Sequence, residues 1–200
     1  SFSPLGNLTF HVFANYQRIE PTGGYQFMAS DALTFSGNRM DFAETSVEMK
    51  WNIRERIVLV GDQRISKGTK FPKLSFKMTK GWAGIAEAMT DYMRFNLRIS
   101  EDISSLRFGT LNVTLMGSQT VGDVPLYFKQ YAFGTRQDWN ITTANTFETV
   151  FPGEFYHDRQ AALFLRYDIP AIRTKAPWNE PQFTIHHGIG YGDFATKSAH

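Results

Sequence analysis

Histidines and their acidic neighbours are the residues of this chain best suited to metal binding or proton transfer. The sequence has five histidines and no cysteine, which excludes thiolate metal sites, cysteine nucleophiles and disulfides. His186 and His187 are adjacent, and neighbouring residues of a strand point to opposite faces, so this pair does not chelate one metal. The run His157-Asp158-Arg159 could form part of a proton relay, but a polar loop that leads into a strand explains it more simply.

Serine and glycine motifs give no stronger indication of catalysis. Ser46 and Ser118 lack the flanking glycines that expose a nucleophile at a sharp turn. The glycine pairs in GWAG and GYGD precede no helix that could bind a phosphate. We therefore predict no catalytic residue, no metal and no cofactor, although a lipid-remodelling barrel enzyme with a Ser-His pair assembled across strands remains an alternative.

The elements that must position any site are β-strands, because apolar and polar residues alternate along most of the chain. In one such run, Val47, Met49 and Trp51 share a face, while Glu48 and Lys50 lie on the other. We count about nine strands and no convincing helix, and we predict an all-β antiparallel fold. The predicted strands are Leu8 to Gln17, Tyr25 to Phe35, Ala43 to Ile53, Ile57 to Ile65, Leu74 to Thr79, Met93 to Ile99, Arg107 to Met116, Gln160 to Ile169 and Phe183 to Tyr191.

Alternation of this kind fits two architectures. In a soluble sandwich or ligand-binding barrel the apolar face is the core, whereas in a membrane barrel it faces lipid and the polar face lines a wet lumen. Several runs reach about ten to twelve residues, near the 9–11 that span a bilayer obliquely, and this favours the transmembrane β-barrel. The residues then predicted to face lipid are Val47, Met49, Trp51, Phe95, Leu97, Leu111, Val113, Leu163 and Leu165.

Composition agrees with a barrel and argues against nucleic-acid binding. The net charge is only +2, with acidic and basic residues interleaved. Aromatic residues make up 15% of the chain, including 18 Phe and 8 Tyr. The chain starts at Ser1 without a signal peptide, so we expect either a processed chain or part of a longer one.

A long segment, 118–158, separates two of the alternating strands. It far exceeds a hairpin loop, and a loop of such length in a regular sheet is normally functional or disordered. Its many aromatic residues argue against disorder.

This segment resembles the loop that marks the surface-antigen superfamily of outer-membrane assembly factors, the BamA and TamA type. The resemblance rests on Gly122, Pro125, Tyr127 and the run QYAFG that ends at Gly134, followed by the strand-like stretches GEFYHDRQAALFLRYDIP and FTIHHGIGYGDF. The runs FPKLSFKMTKG and EF-x-x-DR are similar to a Bacteroidota outer-membrane family that carries an N-terminal carboxypeptidase-regulatory-like domain. The resemblance covers most of residues 71–194.

The resemblance implies a sixteen-strand barrel, of which residues 1–200 would supply only a middle part. It implies a multi-pass protein of the outer membrane that inserts, exports or assembles proteins or lipid-linked cargo by strand templating and loop gating. The partners would be outer-membrane lipid and lipopolysaccharide, a protein client and accessory outer-membrane subunits. Within the lumen it assigns a loop plug with a tip arginine and nearby partners, and these residues are Gly134, Arg136, Asp158, Asp168 and His186.

Overall fold

The structure is a computed structural model. It describes residues 2–5, 7–20, 27–28, 34–35, 40–55, 57–61, 63–66, 69, 71–85, 88, 90–105, 108–122, 124–125, 129–131, 134, 145–147, 150, 154–170 and 183–193. In these ranges the secondary structure consists of strands and turns, and no helix long and apolar enough to cross a membrane occurs.

Long strands form one main antiparallel sheet. Its eight strands, in spatial order, are β1 (Phe2–Leu5), β2 (Leu8–Ile19), β5 (Met40–Asn52), β8 (Lys73–Gly81), β9 (Tyr92–Ser105), β10 (Gly109–Gly122), β13 (Arg159–Ile169) and β14 (Phe183–Asp193). Each strand pairs with its neighbour along this order, and β1 and β14 form the two edges of the described sheet. The all-β antiparallel prediction is thus confirmed, whereas closure into a barrel is not shown.

Six short strands form three separate two-stranded ladders. They are β3 (Phe27–Met28) with β4 (Thr34–Phe35), β6 (Ile57–Val60) with β7 (Gln63–Ser66), and β11 (Gln130–Tyr131) with β12 (Tyr156–His157).

Most predicted strand ends are shifted in the structure, and three predicted segments differ more clearly. Ile57 to Ile65 is a hairpin rather than one strand, because Gly61 turns the chain with a φ of 62°. The segment Tyr25 to Phe35, also predicted as one strand, contains the paired strands β3 and β4. The strand predicted from Met93 to Ile99 continues as far as Ser105 in β9. Seven of the nine predicted strands therefore lie in the main sheet, whose eighth strand, β1, was not predicted.

The two faces of the main sheet differ sharply in chemistry. Directly opposed residues of an antiparallel pair point to the same side. One side, which we call the apolar face, carries the row Val12, Val47, Met78 and Phe95 across β2, β5, β8 and β9. The other side, the polar face, carries the neighbouring row His11, Glu48, Lys77 and Asn96.

Burial runs opposite to polarity on these faces. On the polar face Ser46, Thr79 and Thr114 are buried, with Thr114 only 1% exposed. On the apolar face of the same strands Val47 of β5 is 42% exposed and Leu115 of β10 is 44% exposed. The sheet thus covers its hydroxyl groups and leaves its hydrocarbon side chains open.

A small apolar core lies on the polar face where β5, β9 and the chain after β10 meet. It consists of Met40, Phe42, Tyr92 and Val124, with Ile19 packed against it. The Tyr92 hydroxyl donates a hydrogen bond to Glu44 in the same region. Apolar packing of the usual kind is therefore concentrated at one end of the strands.

Candidate functional site

The long connection between β10 and β13 is tied to the polar face of the sheet. β10 continues through Gly122, so the connection spans residues 123–158, a few residues shorter than the predicted 118–158. We call residues 123–158 the long loop. Within it, β11 pairs with β12 at Gln130 and His157, and Gly134 forms a parallel bridge with Phe147.

A chain of side-chain hydrogen bonds connects two distant strands through the long loop. Gln160 of β13 donates to the Gln130 side-chain oxygen at 2.9 Å, and Gln130 donates to the Asn96 oxygen of β9 at 3.1 Å. His157 Nε2 lies 2.5 Å from the Gln160 side-chain oxygen. Since that oxygen can only accept, Nε2 of His157 carries the proton. Gln130 therefore braces the sheet from β13 across β10 to β9.

The end of the long loop is anchored by Asp158. Its side chain pairs with Lys129 at 2.9 Å, and both side chains are largely buried. Its backbone oxygen accepts from the Thr120 amide at 2.7 Å, and its own amide donates to Asp193 at 3.1 Å. Asp158 thus connects the long loop to β10 and β14 at once.

Glycines on the polar face of β14 make room for the long loop. Gly188, Gly190 and Gly192 alternate along this strand, and a Cβ atom at Gly190 would lie 2.5 Å from the Phe147 ring. At Gly192 a Cβ atom would lie 2.7 Å from His157 Nδ1. Phe147 also packs on Phe164 of β13 with ring centroids 4.9 Å apart. Because strand glycines allow such close approach, the Phe147 ring of the long loop packs directly against this row of glycines.

Charged residues line the polar face near the other end of the strands. Asp102, Asn112, Arg166 and His186 form one cross-strand row through β9, β10, β13 and β14. Asp102 accepts from Asn112 at 2.6 Å and pairs with Lys73 at 3.2 Å.

Asp168 lies one row further along the polar face. It pairs with Arg166 at 3.0 Å and accepts from Thr184 at 2.9 Å. The carboxylates of Asp102 and Asp168 therefore both have partners on the polar face of the sheet.

Four of the five residues predicted to form the plug lie in the described part of the chain. Gly134 and Asp158 belong to the long loop, while Asp168 and His186 lie on the polar face of β13 and β14. Arg136 and its expected pairing with a carboxylate lie outside the described residues. In the described part of the chain Asp168 pairs with Arg166, a residue of its own strand.

All nine residues predicted to face lipid share the apolar face. This follows from the register, in which Leu111 opposes Tyr167, Val113 opposes Leu165, and Leu163 opposes Leu115. The members are Val47, Met49, Trp51, Phe95, Leu97, Leu111, Val113, Leu163 and Leu165.

Sequence reasoning missed the residues that attach the long loop. Lys129, Gln130 and Phe147 lie in an irregular segment whose contacts no period predicts. One signal was present in the sequence, since the alternating glycines of GIGYG mark a strand face without side chains.

The described contacts attach the long loop to the polar face. Within the described ranges no group of three His, Asp or Glu side chains is arranged to hold a metal ion. Three sets of contacts hold the described part of the long loop against the polar face. They are the hydrogen bonds of Gln130, the Lys129–Asp158 ion pair and the packing of Phe147 on the glycines of β14.

Comparisons with known proteins give one family. A model described as the C-terminal domain of a family of unknown function, DUF5686, matches residues 3–157. No curated protein and no solved structure matches the chain. The matched region includes β1 to β10 and the long loop up to His157, and the chain therefore belongs to the DUF5686 C-terminal domain family.

Proposed function

We propose that this protein is part of an outer-membrane β-barrel that inserts, exports or assembles proteins or lipid-linked cargo. The long loop braces the lumen, and an exposed edge strand of the sheet pairs with an incoming strand of the cargo. The observation that carries the proposal is the inverted burial of the main sheet. A soluble sheet protein hides its apolar face, and an apolar surface of this extent in water would be an aggregation site.

The size of the apolar face suits a bilayer. On β5 it runs from Ala43, opposite Tyr16, to Trp51, which is eight residue steps or about 27 Å along the strand. Strands of membrane barrels tilt by about 40°, which reduces this to about 20 Å along the membrane normal, near the roughly 25 Å apolar band of such barrels. Tyr16 and Trp51 are both exposed at the two ends, where aromatic girdles occur.

The stagger of the strands also supports a barrel. The apolar stretch of β2 is centred on Val12, whose cross-strand row reaches Arg159 of β13. The apolar stretch of β13 is centred on Leu165, six residues further along that strand. In a closed barrel the strands are tilted and their register is staggered, so the apolar stretch must shift along each successive strand in this way.

Strand templating gives this architecture a mechanism. An edge strand exposes unpaired amide and carbonyl groups, and an incoming strand can pair with them by β-augmentation. The long loop would prevent leakage while such a seam opens, because its described residues are tied to the polar face at β9, β10, β13 and β14.

Membrane partition is the first experiment. The parent protein should fractionate with detergent-extracted outer membrane and migrate faster on a gel without heating than after boiling. A monomer that stays soluble without detergent would contradict the proposal and favour a soluble ligand-binding barrel.

Assembly activity needs a second measurement. Liposomes that contain the protein should accelerate the folding of an unfolded outer-membrane barrel added from outside, compared with empty liposomes of the same lipid. Liposomes carrying an equal mass of an unrelated small barrel are the control. Equal folding rates in both preparations would leave a membrane barrel but remove the assembly function.

A further inference from the structure

A cavity of about 400 Å³ lies on the polar face, next to the described residues 145–147 of the long loop. Its walls come from β8, β9, β10, β13 and β14, and they include Lys73, Arg98, Asp102, Asn112, Arg166 and His186. This volume lies in the range of small-molecule sites, which is about 300–1,000 Å³. The cavity is therefore large enough for a ligand rather than for single waters alone.

Charge in this cavity is predominantly positive. Lys73 and Arg166 already pair with Asp102 and Asp168, and each of these carboxylates also accepts a second hydrogen bond from the wall. Arg98 makes no hydrogen bond or ion pair within the part of the chain that the structure describes. Among the described residues the guanidinium of Arg98 thus has no compensating carboxylate, and Lys73 and Arg166 line the same cavity.

The unpaired group is suited to one class of ligand. A guanidinium presents several N–H donors in a planar fork that matches phosphate or carboxylate oxygens. Ser100, Asn145 and Thr146 add neutral hydrogen-bonding groups from the strand and from the long loop. Donors that arrive from several directions fit a tetrahedral phosphate better than a planar carboxylate.

We propose that this cavity binds a phosphate group, with Arg98 as its principal contact and Lys73 and Arg166 as flanking cations. The phosphate belongs either to inorganic phosphate or to an ester with a small polar body such as a sugar, for which the volume leaves room. This binding site goes beyond assembly or export, and it does not require that the protein handle any cargo.

Calorimetric titration of the detergent-solubilised full chain tests the site. The probes are inorganic phosphate, glucose 6-phosphate and glucose, each at 150 mM NaCl so that diffuse surface attraction is screened. Saturable binding of at least one phosphate probe is expected, without binding of glucose. Tighter binding of glucose 6-phosphate identifies an ester as the ligand, whereas equal binding identifies free phosphate. Absence of saturable binding by both phosphate probes overturns the proposal.

A matched pair of variants assigns the site to Arg98. Arg98→Gln should weaken phosphate binding by about ten- to a hundredfold, the usual range for a charge-assisted hydrogen bond. Lys77→Gln removes the same charge from the polar face of the adjacent strand, outside this cavity, and should change binding less than about twofold. Equal losses in both variants would reduce the effect to general electrostatics and overturn the proposal.

A third variant covers the case in which Arg98→Gln folds poorly. Ser100→Asp places a negative charge at the cavity wall and should abolish phosphate binding. Its heat-modifiable migration should match that of the parent protein, because Ser100 is only partly buried. Unchanged phosphate binding by this variant would place the anion elsewhere and overturn the proposal.

Discussion

At the scale of single residues, a few buried polar contacts hold the long loop in position. Lys129 and Asp158 form the most buried ion pair that involves the long loop among the described residues. Buried pairs of this kind contribute little net stability, yet loss of one partner is costly because the other charge loses its compensation. The Lys129–Asp158 pair therefore fixes the position of the long loop more than it stabilises the protein.

Replacing Lys129 with Met should loosen the long loop. We expect a destabilisation of about 3–5 kcal/mol for the broken buried pair. Limited proteolysis should show faster cleavage within residues 123–158, and the unheated gel band should unfold at lower temperature.

Lys50→Met is the control for this prediction. Lys50 pairs with Glu48 at 3.2 Å, but the lysine side chain is half exposed. An exposed pair is worth about 0–1 kcal/mol, so this variant should cleave like the parent protein. Comparable effects of the two substitutions would mean that the Lys129–Asp158 pair has no special role in holding the loop.

At the scale of elements, β14 is built to receive another segment. Three alternating glycines remove side chains from its polar face, and the Phe147 ring and His157 occupy the space. Strand glycines are normally unfavourable, since they lose more conformational freedom on folding and pack no side chain. The close approach of the loop supplies the physical reason for their presence.

Gly190→Ala should displace the long loop from β14. The new methyl group would overlap the Phe147 ring, and overpacking of this kind costs about 1–3 kcal/mol. Single-channel recording in planar bilayers should then show more frequent or larger conductance events. Combining Gly190→Ala with Phe147→Leu should partly restore the low conductance, since the smaller side chain leaves space.

Gly117→Ala serves as the comparison for Gly190→Ala. Gly117 also lies inside a strand, but its added methyl group would meet only Gln160 at an ordinary 3.9 Å. Conductance should stay at the parental level. If Gly190→Ala also leaves conductance unchanged, the contact between Phe147 and β14 does not control conductance.

At the scale of the whole molecule, the arrangement of the two faces decides which environment the sheet suits. Described residues of the long loop contact the polar face at β9, β10, β13 and β14, while the apolar face carries exposed Val, Leu, Ile and aromatic side chains. Hydrocarbon surface of this kind gains free energy from transfer out of water, and lipid can supply that transfer.

Adjacent residues on opposite faces test this orientation. Val12→Arg places a charge on the apolar face and should destabilise the membrane-inserted protein by roughly 2–4 kcal/mol if the residue lies near the midplane. His11→Arg changes the polar face opposite Glu48 and should be tolerated. Folding into liposomes, followed by heat-modifiable migration, measures both variants. The reverse order of sensitivity would invert the assignment of lipid and lumen faces.

The sequence by itself determined the strands and their faces. Strict alternation fixes which residues share a side, because side chains of a strand have a period of two. The nine residues predicted to face lipid therefore share one face in the structure. Short hairpins were harder to predict, as at Ile57 to Ile65, because a single glycine turn interrupts an apparently continuous run.

Only the tertiary structure decided which face is covered and what covers it. The same alternation occurs in a soluble sheet and in a membrane barrel, so alternation does not show which face is buried. The arrangement of the strands and the long loop decides that. The contacts of Phe147, Gln130 and Lys129 depend on long-range folding of an aperiodic segment, for which local pattern carries no information. That Arg98 has no partner in the described part of the chain likewise became visible only after cross-strand register had assigned carboxylate partners to Lys73 and Arg166.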